Sequence, residues 1–109
     1  MSTIRKFDAA TLELETKERP ESDAEVASYK VYTNETGDQY HGVWQAAPGT
    51  HTNLPGQETV YILQGRATVT GTTGDSIDVA AGDIVVIDAG EVATWTIQET
   101  IRKVFVVNK

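Results

Sequence analysis

Short apolar or alternating segments separated by turn residues fill the chain from residue 25 onward. Val26 to Tyr32 and Tyr40 to Gln45 are rich in β-branched and aromatic residues, and the polar stretch 33–38 between them is typical of a turn. Further strands are predicted at 59–64, 66–70, 76–79, 84–87, 92–98 and 101–107. About eight strands with no segment of helical period predict an all-β single domain, built as a closed sandwich or barrel.

The breaks between these strands carry their own signals. Gly65 is expected to bend the chain between two strands, and Glu99-Thr100 is expected to separate the last two. Gly71-Thr72-Thr73-Gly74 predicts a hairpin turn, with glycine supplying the positive φ angles. The segment Thr59 to Gln64 is apolar on both faces, which predicts a strand buried on both sides.

Residues 1–24 differ from the rest in being rich in charge. Thr11 to Glu15 alternates like a short strand, whereas 17–23 is polar and broken by Pro20. We expect an extended N-terminal arm over 1–24 that packs only in places and adds an edge strand, followed by the barrel domain over 25–109. The alternative for the arm is a disordered leader.

Composition excludes several classes of protein. The 109 residues suit one domain, and the absence of cysteine excludes disulfides, zinc–thiolate sites and cysteine nucleophiles. A net charge of −7 makes nucleic acid and anionic membrane surfaces poor partners. No apolar stretch follows the N-terminus, and runs such as Ile84-Val85-Val86-Ile87 are far shorter than the roughly 20 residues of a spanning helix. We therefore expect a cytoplasmic protein.

Two groups of residues have the spacing of a known pair of motifs. His51-Thr52-Asn53 is followed after four residues by Glu58 and after six more by Gly65. Gly82 and Gly90 are separated by seven residues, and Trp95 follows them. These stretches resemble the first and second motifs of the cupin superfamily, the RmlC-like jelly rolls. Pro48-Gly49, 61–65, 81–83 and Trp95 are similar to the small single-domain branch with the ethanolamine-utilisation and ureidoglycine aminohydrolase-type cupins.

The resemblance implies a cupin-type jelly-roll β-barrel with one internal pocket. His51 and Asn53 are two apart on a strand and so share a face, and Glu58 begins the next strand after a turn. Ala93 and Trp95 lie on the inward face of a later strand, with Ile97 in line. A cupin-like barrel gathers His51, Asn53, Glu58, Ala93 and Trp95 around that pocket.

The sequence departs from the family motifs at residues that bind the metal in other cupins. Metal-bearing cupins use three histidines and one glutamate. Here His51 and Glu58 are present, whereas Asn53 stands at the second histidine position and Ala93 at the third; Gln45, Asp88 and Ile97 also replace motif residues. Two strong donors and one weak amide oxygen hold a divalent metal poorly, so we expect no cofactor. The alternative is a divalent metal held by His51, Glu58 and Asn53.

Each candidate residue also has a purely structural interpretation. His51 and Glu58 are the candidate acid–base pair, and a hydrogen bond between them would satisfy both. The same hydrogen bond would also be consistent with a purely structural role, in a site that catalyses no reaction. Trp44 and Trp95, with Asn53, are candidates for binding a ligand, although most tryptophans in small β-domains belong to the core.

Three functions remain open. The first is a small cupin that binds a small metabolite in its barrel, as an enzyme or accessory protein, with His51 and Glu58 as acid and base. The second is a metal-dependent cupin enzyme using Mn, Fe, Ni or Zn. The third is a non-catalytic binding or structural module whose vestigial pocket is filled by Trp95.

Assembly is also open to prediction. Family members are commonly dimers, and the arm or the strand Val26 to Tyr32 offers an edge that extends a partner's sheet. We therefore expect a homodimer.

Overall fold

Strands are the only regular elements of the computed structural model, which describes residues 3–20 and 22–109. Within those ranges no helix is long and apolar enough to cross a membrane. The strands are β1 (Glu15–Lys17), β2 (Val26–Thr33), β3 (Gln39–Ala46), β4 (Gly49–Thr52), β5 (Gln57–Thr70), β6 (Ser76–Ala80), β7 (Ile84–Ile87) and β8 (Thr94–Asn108).

Two long strands, β5 and β8, run antiparallel along the whole domain and organise the other six. Toward one end of this pair, β8 takes β3 as its other neighbour and β5 takes β7; β2 and β1 follow outside β3. Toward the opposite end, β8 pairs with β4 and β5 pairs with β6. The pairing of β5 with β8 shifts register around 62–67. Such bulges bend strands, and here they fold one antiparallel sheet over itself.

The inner face of the folded sheet is the hydrophobic core. Val60 and Ile62 from one half of β5 share a single apolar cluster with Ala67 and Val69 from its other half. Alternation along β8 is as expected, since Ala93, Trp95 and Ile97 are buried and Thr96 is exposed. The all-β jelly-roll architecture is confirmed.

Three local predictions are wrong. The segments on either side of Gly65 form one strand, as do those on either side of Glu99-Thr100, because each long strand bonds to the other across the break. The segment 59–64 is not buried on both sides: Tyr61 is 45% exposed between Val60 and Ile62. Cross-strand pairing outweighs the local breaker signals, and the apolar outer positions face outward.

The arm is attached to the barrel by strand pairing and by side-chain hydrogen bonds, among them those of the Arg102 guanidinium. Its strand is Glu15–Lys17, slightly later than the predicted Thr11 to Glu15, and it pairs with Val26, Ala27 and Ser28 of β2. Arg102 donates to the carbonyl oxygens of Ala9 (2.9 Å) and Leu12 (2.7 Å). Part of the expected free edge of β2 is thus covered by its own chain, and the homodimer stays a prediction.

The close packing of Gly65 allows a test of the bulge. Gly65 has φ +91°, and a Cβ there would lie 2.1 Å from the carbonyl oxygen of Thr100. Gly74 has a similar φ of +93° and open space around it. We expect Gly74→Ala to cost about 1–2 kcal/mol of unfolding free energy, and Gly65→Ala on the order of 3–5 kcal/mol because β5 and β8 must also separate. Chemical denaturation measures both, and equal costs would contradict a bulge packed in this way.

Candidate functional site

A cavity of about 770 Å³ opens into the barrel between the inner face of β8 and the strands β2 to β5. Its wall combines aromatic side chains with charged ones. The residues used below are Arg19, Lys30, Tyr40, Trp44, His51, Asn53, Glu58, Lys103, Phe105 and Lys109. Most of them point inward because they occupy alternate positions on strands whose other positions face outward.

Lys103 lies at the buried end of this cavity. Its side chain is 2% exposed, and its Nζ is 4.2 Å from the centroid of the Trp95 ring and 4.5 Å from that of Trp44. Stacking of an ammonium on two indole faces compensates part of its lost hydration. Burial nevertheless lowers the pKa of Lys103, while the charge of Glu58 acts in the opposite direction.

Glu58 is the ionic partner of Lys103. Its Oε2 lies 3.5 Å from the Lys103 Nζ, and its side chain is 12% exposed. The residue stands at the start of β5, opposite Val107 of β8, and it lines the cavity as predicted from the motif. Its carboxylate therefore meets an ammonium ion rather than the predicted partner, His51.

His51 is held neutral by its surroundings. It is 7% exposed, and its ring stacks on Trp44 with centroids 4.8 Å apart. Burial, followed by repulsion from Lys103 and Arg19, lowers the pKa of His51 to about 4. Its Nδ1 is buried and has no hydrogen-bond partner among residues 3–20 and 22–109.

Asn53 faces the cavity with its amide oriented by the backbone. It is 5% exposed, and its Nδ2 donates to the carbonyl oxygens of Leu54 (3.0 Å) and Glu91 (3.1 Å). Because both N–H groups of the amide donate hydrogen bonds, the orientation of the Asn53 side chain is fixed. Its Oδ1 is buried without a partner.

The donor set does not suit the divalent metal that the resemblance implies. Among residues 3–20 and 22–109, no three His, Asp or Glu side chains converge as metal ligands. Ala93 is buried and offers no donor. Glu58, one of the two strong donors, lies beside the Lys103 ammonium, whose charge repels a cation. The position beside Glu58 is thus already taken by an ammonium group.

The two tryptophans have different positions. Trp44 lines the cavity and stacks on His51. Trp95 is fully buried in the hydrophobic core, where its ring contacts Lys103, and it is outside the cavity wall. Its Nε1 has no hydrogen-bond partner.

Sequence reasoning missed the cationic and phenolic part of the wall. Lys103 shares the parity of Ile101 and Phe105 on β8, and this alternation was the available signal for its inward direction.

Tyr40 also lines the cavity, and burial together with the charge of Glu58 raises its pKa. Lys30 and Lys109 lie near the Tyr40 ring, with Nζ-to-centroid distances of 4.3 and 5.4 Å.

Comparison with known proteins places this site in a family. A family model described as the EutQ-like cupin domain matches residues 33–105, which include His51, Asn53, Glu58 and Lys103. Among curated proteins, none matches the chain.

Solved structures share the fold at low sequence identity. The EutQ protein of Clostridium difficile is 15% identical, with a TM-score of 0.78 over 94% of this chain and 85% of that one. A cupin-like protein of Thermotoga maritima is 16% identical, with a TM-score of 0.76 over 90% and 80%. The polyketide cyclase RemF of Streptomyces resistomycificus is 16% identical, with a TM-score of 0.75 over 97% and 80%.

The buried ion pair predicts a strong energetic coupling. Lys103→Met leaves the Glu58 carboxylate without its cation, and we expect a loss of about 3–5 kcal/mol. Glu58→Gln removes that charge, so Lys103→Met should cost about 2 kcal/mol less in the Glu58→Gln background. Urea unfolding of the four proteins measures the coupling. The exposed pair Arg66–Glu99 is the control, with coupling below about 1 kcal/mol expected; equal coupling in both pairs would refute a buried pair.

The depressed pKa of His51 predicts a pH-dependent contribution to stability. Between about pH 4 and 6.5, the unfolded chain binds a proton at His51 and the folded protein does not. Wild-type stability relative to His51→Gln should therefore rise with pH across that window and be constant above it. Urea unfolding at a series of pH values measures the difference. A flat difference from pH 4 to 6.5 would show that His51 titrates normally.

Proposed function

The chain belongs to the EutQ-like cupin family, and we propose that it binds a small metabolite in its barrel without a bound metal. The supporting observation is the open cavity of about 770 Å³, two of whose lining residues each have a buried side-chain atom with no hydrogen-bond partner in the described part of the chain. These are Nδ1 of His51 and Oδ1 of Asn53. Unsatisfied buried polar atoms are costly, and a ligand that pairs with them recovers that cost.

The position of Trp95 favours this function over a vestigial module. If the indole filled the cavity, the pocket would be closed. Instead Trp95 packs in the core below Lys103, and the space above it stays open.

Proton transfer by His51 and Glu58 depends on what the cavity binds. In the free protein, a base with a pKa of about 4 removes protons weakly at neutral pH. A negative charge placed near the ring opposes Lys103 and Arg19, the cations that help to lower this pKa, and so strengthens His51 as a base. Binding is thus the primary role, and acid–base chemistry follows only with a ligand that changes this balance.

The proposal is tested with protein stripped by a chelator and checked for metal by elemental analysis. A library of low-molecular-mass metabolites is screened by thermal unfolding, where a ligand at 100 times its Kd stabilises the fold by about 2.7 kcal/mol. We expect at least one compound to raise the Tm of the metal-free protein. His51→Gln should reduce the shift, whereas His41→Gln, the same change at a histidine outside the cavity lining, should not.

Two results would contradict this function. Stabilisation that appears only after Mn, Fe, Ni or Zn is added would favour the metal-dependent alternative. If no compound stabilises the protein with or without metal, the non-catalytic structural module is the better description.

A further inference from the structure

The charge on the cavity wall is opposite to that of the whole chain. The net charge of the protein is −7. Among the described residues that line the cavity, however, Arg19, Lys30, Lys103 and Lys109 are cationic, and Glu58 is the single acid. A concave site of one sign on a surface of the other focuses the field on that site and selects ligands by charge.

These cations lie at two levels. Lys103 is buried at the inner end, where Glu58 and the two indole rings surround its ammonium group. Arg19, Lys30 and Lys109 are exposed at the mouth. The inner cation already has a carboxylate partner, so the mouth is where additional negative charge is best accommodated.

Lys30 and Lys109 have no carboxylate partner among the residues that the structure describes. Both ammonium groups lie within 5.4 Å of the Tyr40 ring centroid, and neither forms a salt bridge within residues 3–20 and 22–109. The charge of Lys109 contributes to the lowered pKa of Asp38, but the Asp38 carboxylate already accepts hydrogen bonds from Asn34 and Thr36. Two cations thus lie near one aromatic ring, and neither has an ion-pair partner in the described part of the chain.

The inner wall indicates the other end of the ligand. Trp44 and Phe105 offer apolar contact, and His51 and Asn53, both more than nine-tenths buried, each have a side-chain atom with no hydrogen-bond partner among the described residues. A ligand that fits both levels has an anionic group at the mouth, a short apolar body and a hydrogen-bonding group at the inner end.

We propose that the cavity selects small metabolites with a terminal anionic group, a carboxylate or a phosphate, which Lys30 and Lys109 bind at the mouth. This inference rests on the proposed function, since it names the ligand class of the same cavity. Lys103 and Glu58 are then positioning residues that fix Trp44 and the polarity of the inner wall, while the selection by charge takes place at the mouth.

A series of probes with one body and different end groups tests the selection. The probes are 4-hydroxybenzoate, 4-hydroxyphenyl phosphate, 4-hydroxybenzamide and 4-hydroxybenzylamine, and saturation-transfer NMR titration at low salt gives each Kd. We expect at least one anionic probe to bind about tenfold more tightly than the neutral amide, and the amine to bind more weakly still. The tighter of the two anionic probes identifies which anionic group the mouth prefers. High salt should reduce the preference, because the mouth cations are exposed.

Matched variants locate the source of the preference. In Lys30→Gln/Lys109→Gln the anion preference should fall to about threefold or less, with binding of the amide unchanged. Arg66→Gln, which removes one positive charge outside this cavity, should leave the preference intact. If the amide and the amine bind as tightly as both anions, or if the double variant keeps the full preference, the inference is wrong while the proposed function stands. If no probe binds at any concentration reached, the inference is wrong, while the metabolite screen decides the proposed function separately.

Discussion

The ammonium of Lys103 is the group around which the interior of this barrel is arranged. A lysine inside a β-barrel loses nearly all of its hydration, so the surrounding residues must replace it. The indole of Trp95 from below, that of Trp44 from the side and the carboxylate of Glu58 do so. The same ammonium helps to keep His51 uncharged, which leaves its ring free to stack on Trp44. One buried ammonium is thus in contact with three side chains of the interior and contributes to the low pKa of His51.

Much of the fold was predictable because the strands follow local rules. The strands β2, β3, β6 and β7 lie close to where alternation and turn residues predict them, and Ala93 and Trp95 face inward as parity requires. Local rules did not predict that β5 and β8 are each one continuous strand. Gly65 and Glu99-Thr100 have the local signature of breaks, and only pairing between distant segments makes each strand continuous.

In the site, the residues of the motif were predictable from the sequence, whereas the cation beside them was not. His51, Asn53 and Glu58 lie on the cavity wall because motif spacing encodes which face they occupy. Lys103 was harder to place, because residues 101–107 carry apolar side chains at both parities and lysine is seldom buried. The partner of Glu58 was therefore assigned to His51, although the ammonium of Lys103 on the adjacent strand β8 is the group that lies beside it.

The cavity is assembled from two unequal parts of the chain. Its inner residues, including His51, Glu58 and Lys103, belong to the segment 33–105 that the family model describes. The three cations at its mouth, Arg19, Lys30 and Lys109, all lie outside that segment. Substitutions at these three positions would therefore change the charge at the mouth while the segment that the family model describes stayed the same, so membership of the family says little about which ligands two members share.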